Sequence, residues 1–129
     1  MTKFKKVLLI DDDETSNFLN EFLIQGMGIV DEVLIATNGQ EGIEILNLQN
    51  SDNPEIIFLD LNMPVMDGFE FLEAFEKIRK EKKLDIPVFI LTSSNYFKDY
   101  ERAKKFSVAG YIIKPLTEEK INTALKIDK

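Results

Sequence analysis

The stretch Ile57-Phe-Leu-Asp-Leu-Asn-Met-Pro-Val-Met-Asp-Gly68 decides how the rest of this chain reads. It opens inside an apolar run, Ile56–Leu59, that lacks clean polar alternation, as expected for a strand buried on both faces of a parallel sheet. The run ends on an acid, Asp60, followed by Leu61-Asn-Met-Pro64. Gly68 stands just before a helix-like stretch (Phe71, Leu72, Phe75, Ile78), where a turn is expected to need a backbone conformation that only glycine adopts cheaply.

The same pattern repeats outward in both directions. Further strand-like runs are Val7–Ile10, Glu32–Ala36, Val88–Leu91 and Tyr111–Ile113. Amphipathic helices are expected between them. Phe18, Leu19, Phe22 and Leu23 form the apolar stripe of the first. Ile43 and Leu46 mark a second after Thr37-Asn38-Gly39, where either Thr37 or Asn38 is the N-cap. The third ends in Arg79, Lys80, Lys82 and Lys83, which complement its dipole. The lysine-rich segment from Glu76 to Leu84 reads as an extended helix or loop with a solvated face. Tyr96, Phe97, Tyr100 and Ala103 suggest a fourth helix. Thr117-Glu-Glu-Lys120 opens a fifth, with Ile121, Ala124 and Leu125 inward. Strict alternation of strand and helix implies an α/β fold: a doubly wound, five-stranded parallel sheet with helices on both faces.

The totals bound the function. At 129 residues the chain fits a single domain, 1–129, with no linker, low-complexity tract or repeat. It contains no Cys and no His, which excludes disulfides, thiolate or imidazole metal ligands, thiol nucleophiles and a phosphohistidine of its own. A formal net charge of −7 argues against nucleic-acid binding. No apolar run is long enough to span a bilayer, and the basic start (Met1-Thr-Lys-Phe-Lys-Lys6) is not a signal peptide. A cytoplasmic setting is expected.

Ligands of doubly wound sheets bind at the carboxyl ends of the strands. There the first run ends in Asp11-Asp-Asp-Glu14, the third in Asp60, the fourth in Thr92-Ser-Ser94 and the fifth in Lys114-Pro115. Taken singly these are common caps and loop residues; Asp13 or Glu14 could cap the first helix. Together they are a site. Three carboxylates in one crevice repel one another, so one takes a proton or a hard divalent cation joins them. Oxygen-only ligands favour Mg²⁺ or Mn²⁺ over zinc. Lys114 and Thr92 supply a charge and a hydroxyl for phosphate oxygens, and a carboxylate beside such a clamp can attack phosphorus.

These residues resemble the receiver domain of bacterial two-component response regulators over essentially the whole chain, in a stand-alone form like the chemotaxis regulators. The matching elements are Val7-Leu-Leu-Ile-Asp-Asp-Asp-Glu14, Ile57 to Gly68, Leu91-Thr-Ser93 and Gly110-Tyr-Ile-Ile-Lys-Pro115. The resemblance implies a flavodoxin-like sheet of order 2-1-3-4-5. It implies that Asp60 is the phosphoacceptor, that Asp12 and Asp60 ligate Mg²⁺ directly, and that Asp11 acts mostly through water. The backbone carbonyl of Asn62 completes the protein ligands. Lys114 pairs with the acceptor, Thr92 bonds the phosphoryl group, and Ser93 leaves room for it. Tyr111 is the aromatic switch and the Lys114–Pro115 bond is cis. Ser94 leaves the phosphoryl lifetime open.

The partners implied are a histidine kinase or phosphotransfer protein as donor and a separate downstream protein as output, engaged through the fourth helix, fifth strand and fifth helix. The chain is then a phosphoacceptor signalling domain rather than an enzyme. The rival is a phosphatase of the haloacid dehalogenase type, since Asp11-Asp-Asp-Glu-Thr15 fits its Asp-x-Asp-x-Thr motif with Asp11 as nucleophile and Asp13 as general acid. Against it stand the lack of a later acidic motif, the lack of a segment for a cap domain, and an unexplained Asp60 loop.

Overall fold

A computed structural model describes residues 4–48, 53–61, 63, 66–92 and 101–126. Five strands, β1 (Phe4–Ile10), β2 (Val30–Ala36), β3 (Ile56–Asp60), β4 (Val88–Thr92) and β5 (Gly110–Ile113), form one parallel sheet in the order β2-β1-β3-β4-β5. Four whole helices lie among the described residues: α1 (Glu14–Gly26), α2 (Gly39–Leu48), α3 (Gly68–Lys82) and α4 (Glu118–Leu125). Residues 101–103 are also helical, where the sequence suggests a helix ending near Ala103; Tyr96, Phe97 and Tyr100 lie outside the described residues.

Side chains alternate across each strand, so every strand feeds two cores. Leu8, Ile10, Ile57, Leu59 and Ile90 meet Leu46 of α2, Phe71 and Phe75 of α3, and Ala103 on one face. Val7, Leu9, Phe58, Phe89 and Leu91 meet Ile24 of α1 and Ile121 of α4 on the other. Burying each such large side chain contributes about 1.5–3 kcal/mol. β3 and β4 are buried throughout, as the unalternating runs require. β2 is an edge strand and is not: Asp31 and Glu32 are exposed. β1 begins earlier than its apolar run because Lys6 pairs in register with Glu32, their side chains 3.8 Å apart.

α3 starts with a capping box. The Asp67 side chain accepts from Glu70 N–H, and the Glu70 carboxylate accepts from Asp67 N–H, both at 2.9 Å. Gly68 is required here for a reason other than the one expected. The left-handed residue of this turn is Met66, at φ 56°. At Gly68 a Cβ would stand 2.7 Å from Leu61 Cα and 2.8 Å from the Asp60 carbonyl oxygen. Glycine allows α3 to approach the end of β3.

The segment from Glu76 onward is helical to Lys82, and its face is not wholly solvated. Arg79 lies over the Phe75 ring and donates to the Ile86 carbonyl at 3.0 Å.

The first helix departs most from expectation. Phe18, Leu19 and Phe22 are 65%, 57% and 73% exposed. Of the expected stripe, Leu23 is half-buried and packs against the core, while the buried side of α1 is otherwise lined by Asn17 and Ile24, with Asn20 and Glu21 half-buried between them.

Candidate functional site

Strand register brings the acids together. Ile10 closes β1 opposite Leu59 of β3, so Asp11 and Asp60 leave neighbouring strands side by side. Asp60 is paired in turn with Leu91, and Thr92 with Ile113, so Thr92 and Lys114 arrive at the same edge. One carboxylate oxygen from each of Asp11, Asp12 and Asp60 lies within 4.8 Å of the others. Asp11, Asp60 and Thr92 are buried and Asp12 is exposed.

Asp11 is held at several points. Its N–H donates to the Ala36 carbonyl, and its own carbonyl accepts from Asn17 Nδ2 at 2.8 Å. Oδ1 accepts from Asp13 N–H and Oδ2 from Lys114 Nζ, each at 2.9 Å. The same ammonium is 3.7 Å from Asp60 Oδ1. Lys114 therefore bonds Asp11 more closely than the expected acceptor, and the repulsion among the acids is met by a lysine the chain itself supplies. Burial works against the charge on Lys114. The hydrogen bond to Asp11 and the charges of Asp60, Asp11 and Asp13 outweigh it, and the amine titrates above its ordinary value.

The Lys114–Pro115 peptide is cis, as expected. Lys114 N–H donates to the Thr92 carbonyl at 2.8 Å, tying the end of β5 to β4. Tyr111 is half-buried and packs against the core on the α2/α3 face. Asn62, Ser93 and Ser94 lie outside the described residues.

Oxygen is the only donor type in the cluster, and Asp12 opens it to solvent. That donor set suits a hard cation such as Mg²⁺.

The site also contradicts the dehalogenase pattern. Asp13 takes the N-cap position of α1, outside the cluster, and its carboxylate accepts from Ser16 Oγ at 2.7 Å. That hydroxyl holds the Asp13 carboxyl below the usual range.

Residues 7–126 match the family model described as the response regulator receiver domain. The chain belongs to the response regulator receiver family. The receiver is 31% identical to the chemotaxis protein CheY homolog of Campylobacter jejuni, covering 94% of this chain and 89% of that protein. It is 36% identical to the sensor histidine kinase CheAY of Helicobacter pylori, over 93% of this chain but 14% of that protein. It likewise spans about half the length of several other curated relatives, 52% for the nitrate/nitrite response regulator NarL of Escherichia coli, matched at 37% identity over 92% of this chain. A two-component response regulator from Cytophaga hutchinsonii superposes with a TM-score of 0.87 at 35% identity, covering 96% of both chains.

Two residues of the receiver's site escape a reading by motif. Asn17 holds the Asp11 carbonyl from within α1. Lys120, in the first turn of α4, donates to the carbonyls of Ile113 and Pro115. Asn17 gives no signal, because it closes a polar run, Glu14-Thr-Ser-Asn17, and looks like any solvated helix residue. Lys120 gives a faint one: it is a cation where the helix dipole favours an anion.

Proposed function

We propose that this receiver takes a phosphoryl group onto Asp60 from a phosphohistidine of a sensor kinase or phosphotransfer protein, and that the change is read by a separate protein. The observation that carries this reading is the ion-pair network at the carboxyl edge of the sheet. Asp11, Asp12 and Asp60 share one small space, and Lys114 reaches both Asp11 and Asp60.

Asp60 attacks phosphorus in line with the imidazole leaving group. The new P–O bond forms as the P–N bond breaks, and the imidazole departs with the electron pair. Asp11 and Asp12 are the acids that would hold Mg²⁺ together with Asp60 and the Asn62 carbonyl. Bound there, the ion supplies positive charge against the phosphoryl oxygens. Lys114 adds a second positive charge from the end of β5, and Thr92 and Ser93 would provide hydrogen bonding and room beside it. Thr92 and Tyr111 then shift a two-state equilibrium toward the form that the output partner binds.

Tyr111, Ile113, Lys120, Thr123 and Ala124 line an open groove of about 360 Å³ between β5 and α4, which suits that role as the output surface. The acidic charge of the chain supports a protein rather than a nucleic acid as the partner. No helix among the described residues is long and apolar enough to cross a membrane, and the absence of cysteine suits the cytoplasm as the working compartment.

Incubation with acetyl phosphate and Mg²⁺ followed by intact mass measurement tests the assignment. A single phosphoryl adduct is expected, absent in Asp60→Asn and still formed in Asp11→Asn. An adduct that survives Asp60→Asn and vanishes in Asp11→Asn would transfer the role to Asp11.

A further inference from the structure

Lys114 does the work of a positive clamp only if its backbone holds the ammonium over Asp11 and Asp60. The segment that carries it has few ties of its own. Lys114 N–H reaches the Thr92 carbonyl, but Pro115 has no N–H to give and the sheet ends at Ile113. The carbonyls on either side of Lys114, those of Ile113 and Pro115, both accept from one group: Lys120 Nζ, at 2.6 and 2.9 Å.

Lys120 stands at the third position of α4, whose N-cap is Thr117; its own N–H donates to Thr117 Oγ1 at 3.1 Å. A cation in the first turn opposes the helix dipole, and the two residues before it, Glu118 and Glu119, follow the usual preference for acids there. The ammonium turns back from the helix onto the strand end, where it donates to two main-chain carbonyls at once.

We propose that Lys120 is a positioning residue for Lys114. It clamps the chain on both sides of that residue, so that the Lys114 ammonium is delivered to Asp11 and Asp60 with little freedom. Lys120 also lines the groove between β5 and α4. The clamp therefore joins the phosphoryl-accepting edge to the surface assigned to the output partner, and an occupant that withdrew the Lys120 ammonium would loosen Lys114.

The inference rests on the phosphoacceptor reading for one of its two readouts and is independent of it for the other. The variants are Lys120→Met, which keeps the stem and removes the ammonium, Lys120→Gln as a second uncharged form, and Lys120→Arg, which restores a charged donor. With acetyl phosphate at saturating Mg²⁺, the uncharged variants are expected to form adduct about tenfold more slowly, well inside the hundredfold that an ångström of misplacement can cause. Half-saturating Mg²⁺ should not rise, because the acids are intact and a loosened ammonium competes less for them, and Lys120→Arg, which keeps a charged donor, should recover part of the rate.

The second readout is acylation of the Lys114 amine by a small active ester, followed by peptide mass spectrometry. In the parent this amine is protected by its two carboxylates; in Lys120→Met it should react at least about threefold faster as the segment opens locally. Both signatures are required. A Lys120→Met rate near that of the parent, an arginine variant as slow as the methionine one, or unchanged labelling of Lys114 overturns the clamp. A parent that forms no adduct sinks the phosphoacceptor reading alone, and the labelling then decides the clamp by itself.

Discussion

Gly68 and Gly26 give opposite answers to the same substitution. A methyl group at Gly68 meets main-chain atoms of Leu61 and Asp60, which cannot rotate away. Gly68→Ala is therefore expected to cost about 1–3 kcal/mol in urea unfolding, as overpacking does, and to slow adduct formation because the Asp60 peptide must shift. At Gly26, in the last turn of α1, nothing lies within 4 Å of the added atom. Alanine there should leave stability unchanged or raise it by up to about 1 kcal/mol. Equal losses at both positions would contradict the close approach of α3 to β3. Asp11, Asp12, Asp60, Thr92 and Lys114 are legible in the sequence because each closes or follows an apolar run, and strand register does the rest. Asn17 and Lys120 are not, because their partners are main-chain carbonyls and a carbonyl has no letter in the sequence. Gly68 falls between: glycine is legible, but whether it serves φ or close approach depends on what faces it.

At the scale of elements, α1 is the informative case. Apolar periodicity marks a stripe but not the side of the helix on which the stripe ends. The inward face of α1 carries Asn17 because that helix follows Asp11 directly and must tie down its carbonyl, which leaves Phe18 and Phe22 facing solvent. Phe18→Ser and Phe22→Ser should each change unfolding free energy by no more than about 0.5 kcal/mol. Phe75→Ala, from the buried face of α3, should cost about 3–5 kcal/mol. Denaturation of the three variants side by side checks the orientation of α1; a large loss at Phe18 would reverse it.

Helix starts were more legible than helix faces. The second helix resolves its two candidates in favour of Asn38, with Thr37 acting as a donor. Asn38 Oδ1 accepts from Glu41 N–H at 2.8 Å, while Glu41 Oε1 accepts from Thr37 N–H and Oγ1 at 2.6 and 2.7 Å. The Thr37 N–H, then its hydroxyl, hold the Glu41 carboxyl below its ordinary value. A depressed carboxyl contributes stability above its unfolded pKa and loses it as pH falls through the folded one. Glu41→Gln should therefore lower stability slightly at neutral pH, where the depressed carboxyl contributes, and converge with the parent below about pH 4.5, which flattens part of the decline. The group is exposed, so the effect is at most about 0.5 kcal/mol.

For the molecule as a whole, alternation of strands and helices was enough to specify a doubly wound sheet, whereas the order of strands came from resemblance. Periodicity has no way to say that β1 lies between β2 and β3; that follows from which loops can close over which edges once the chain is folded. The consequence of this order is electrostatic. It places β1 and β3 side by side, so three formal negative charges converge on one edge and meet the Lys114 ammonium. A cation that binds only the folded arrangement stabilises it by mass action, by about 1.4 kcal/mol at tenfold excess over its dissociation constant. For a domain of this size that corresponds to a rise of about 4–7 °C in Tm. Millimolar Mg²⁺ should produce that rise, and a chelator should reverse it. Asp12→Asn should shrink the rise while raising the metal-free Tm, because the substitution removes one repelling charge and leaves a neutral, weaker oxygen ligand. Lys114→Met should lower the metal-free Tm and enlarge the Mg²⁺ effect, since the ion then replaces the missing ammonium. A Tm indifferent to Mg²⁺ in all three proteins would mean that no cation is held there, whereas indifference in the parent with a rise in Lys114→Met would mean that Lys114 already takes the place of the cation.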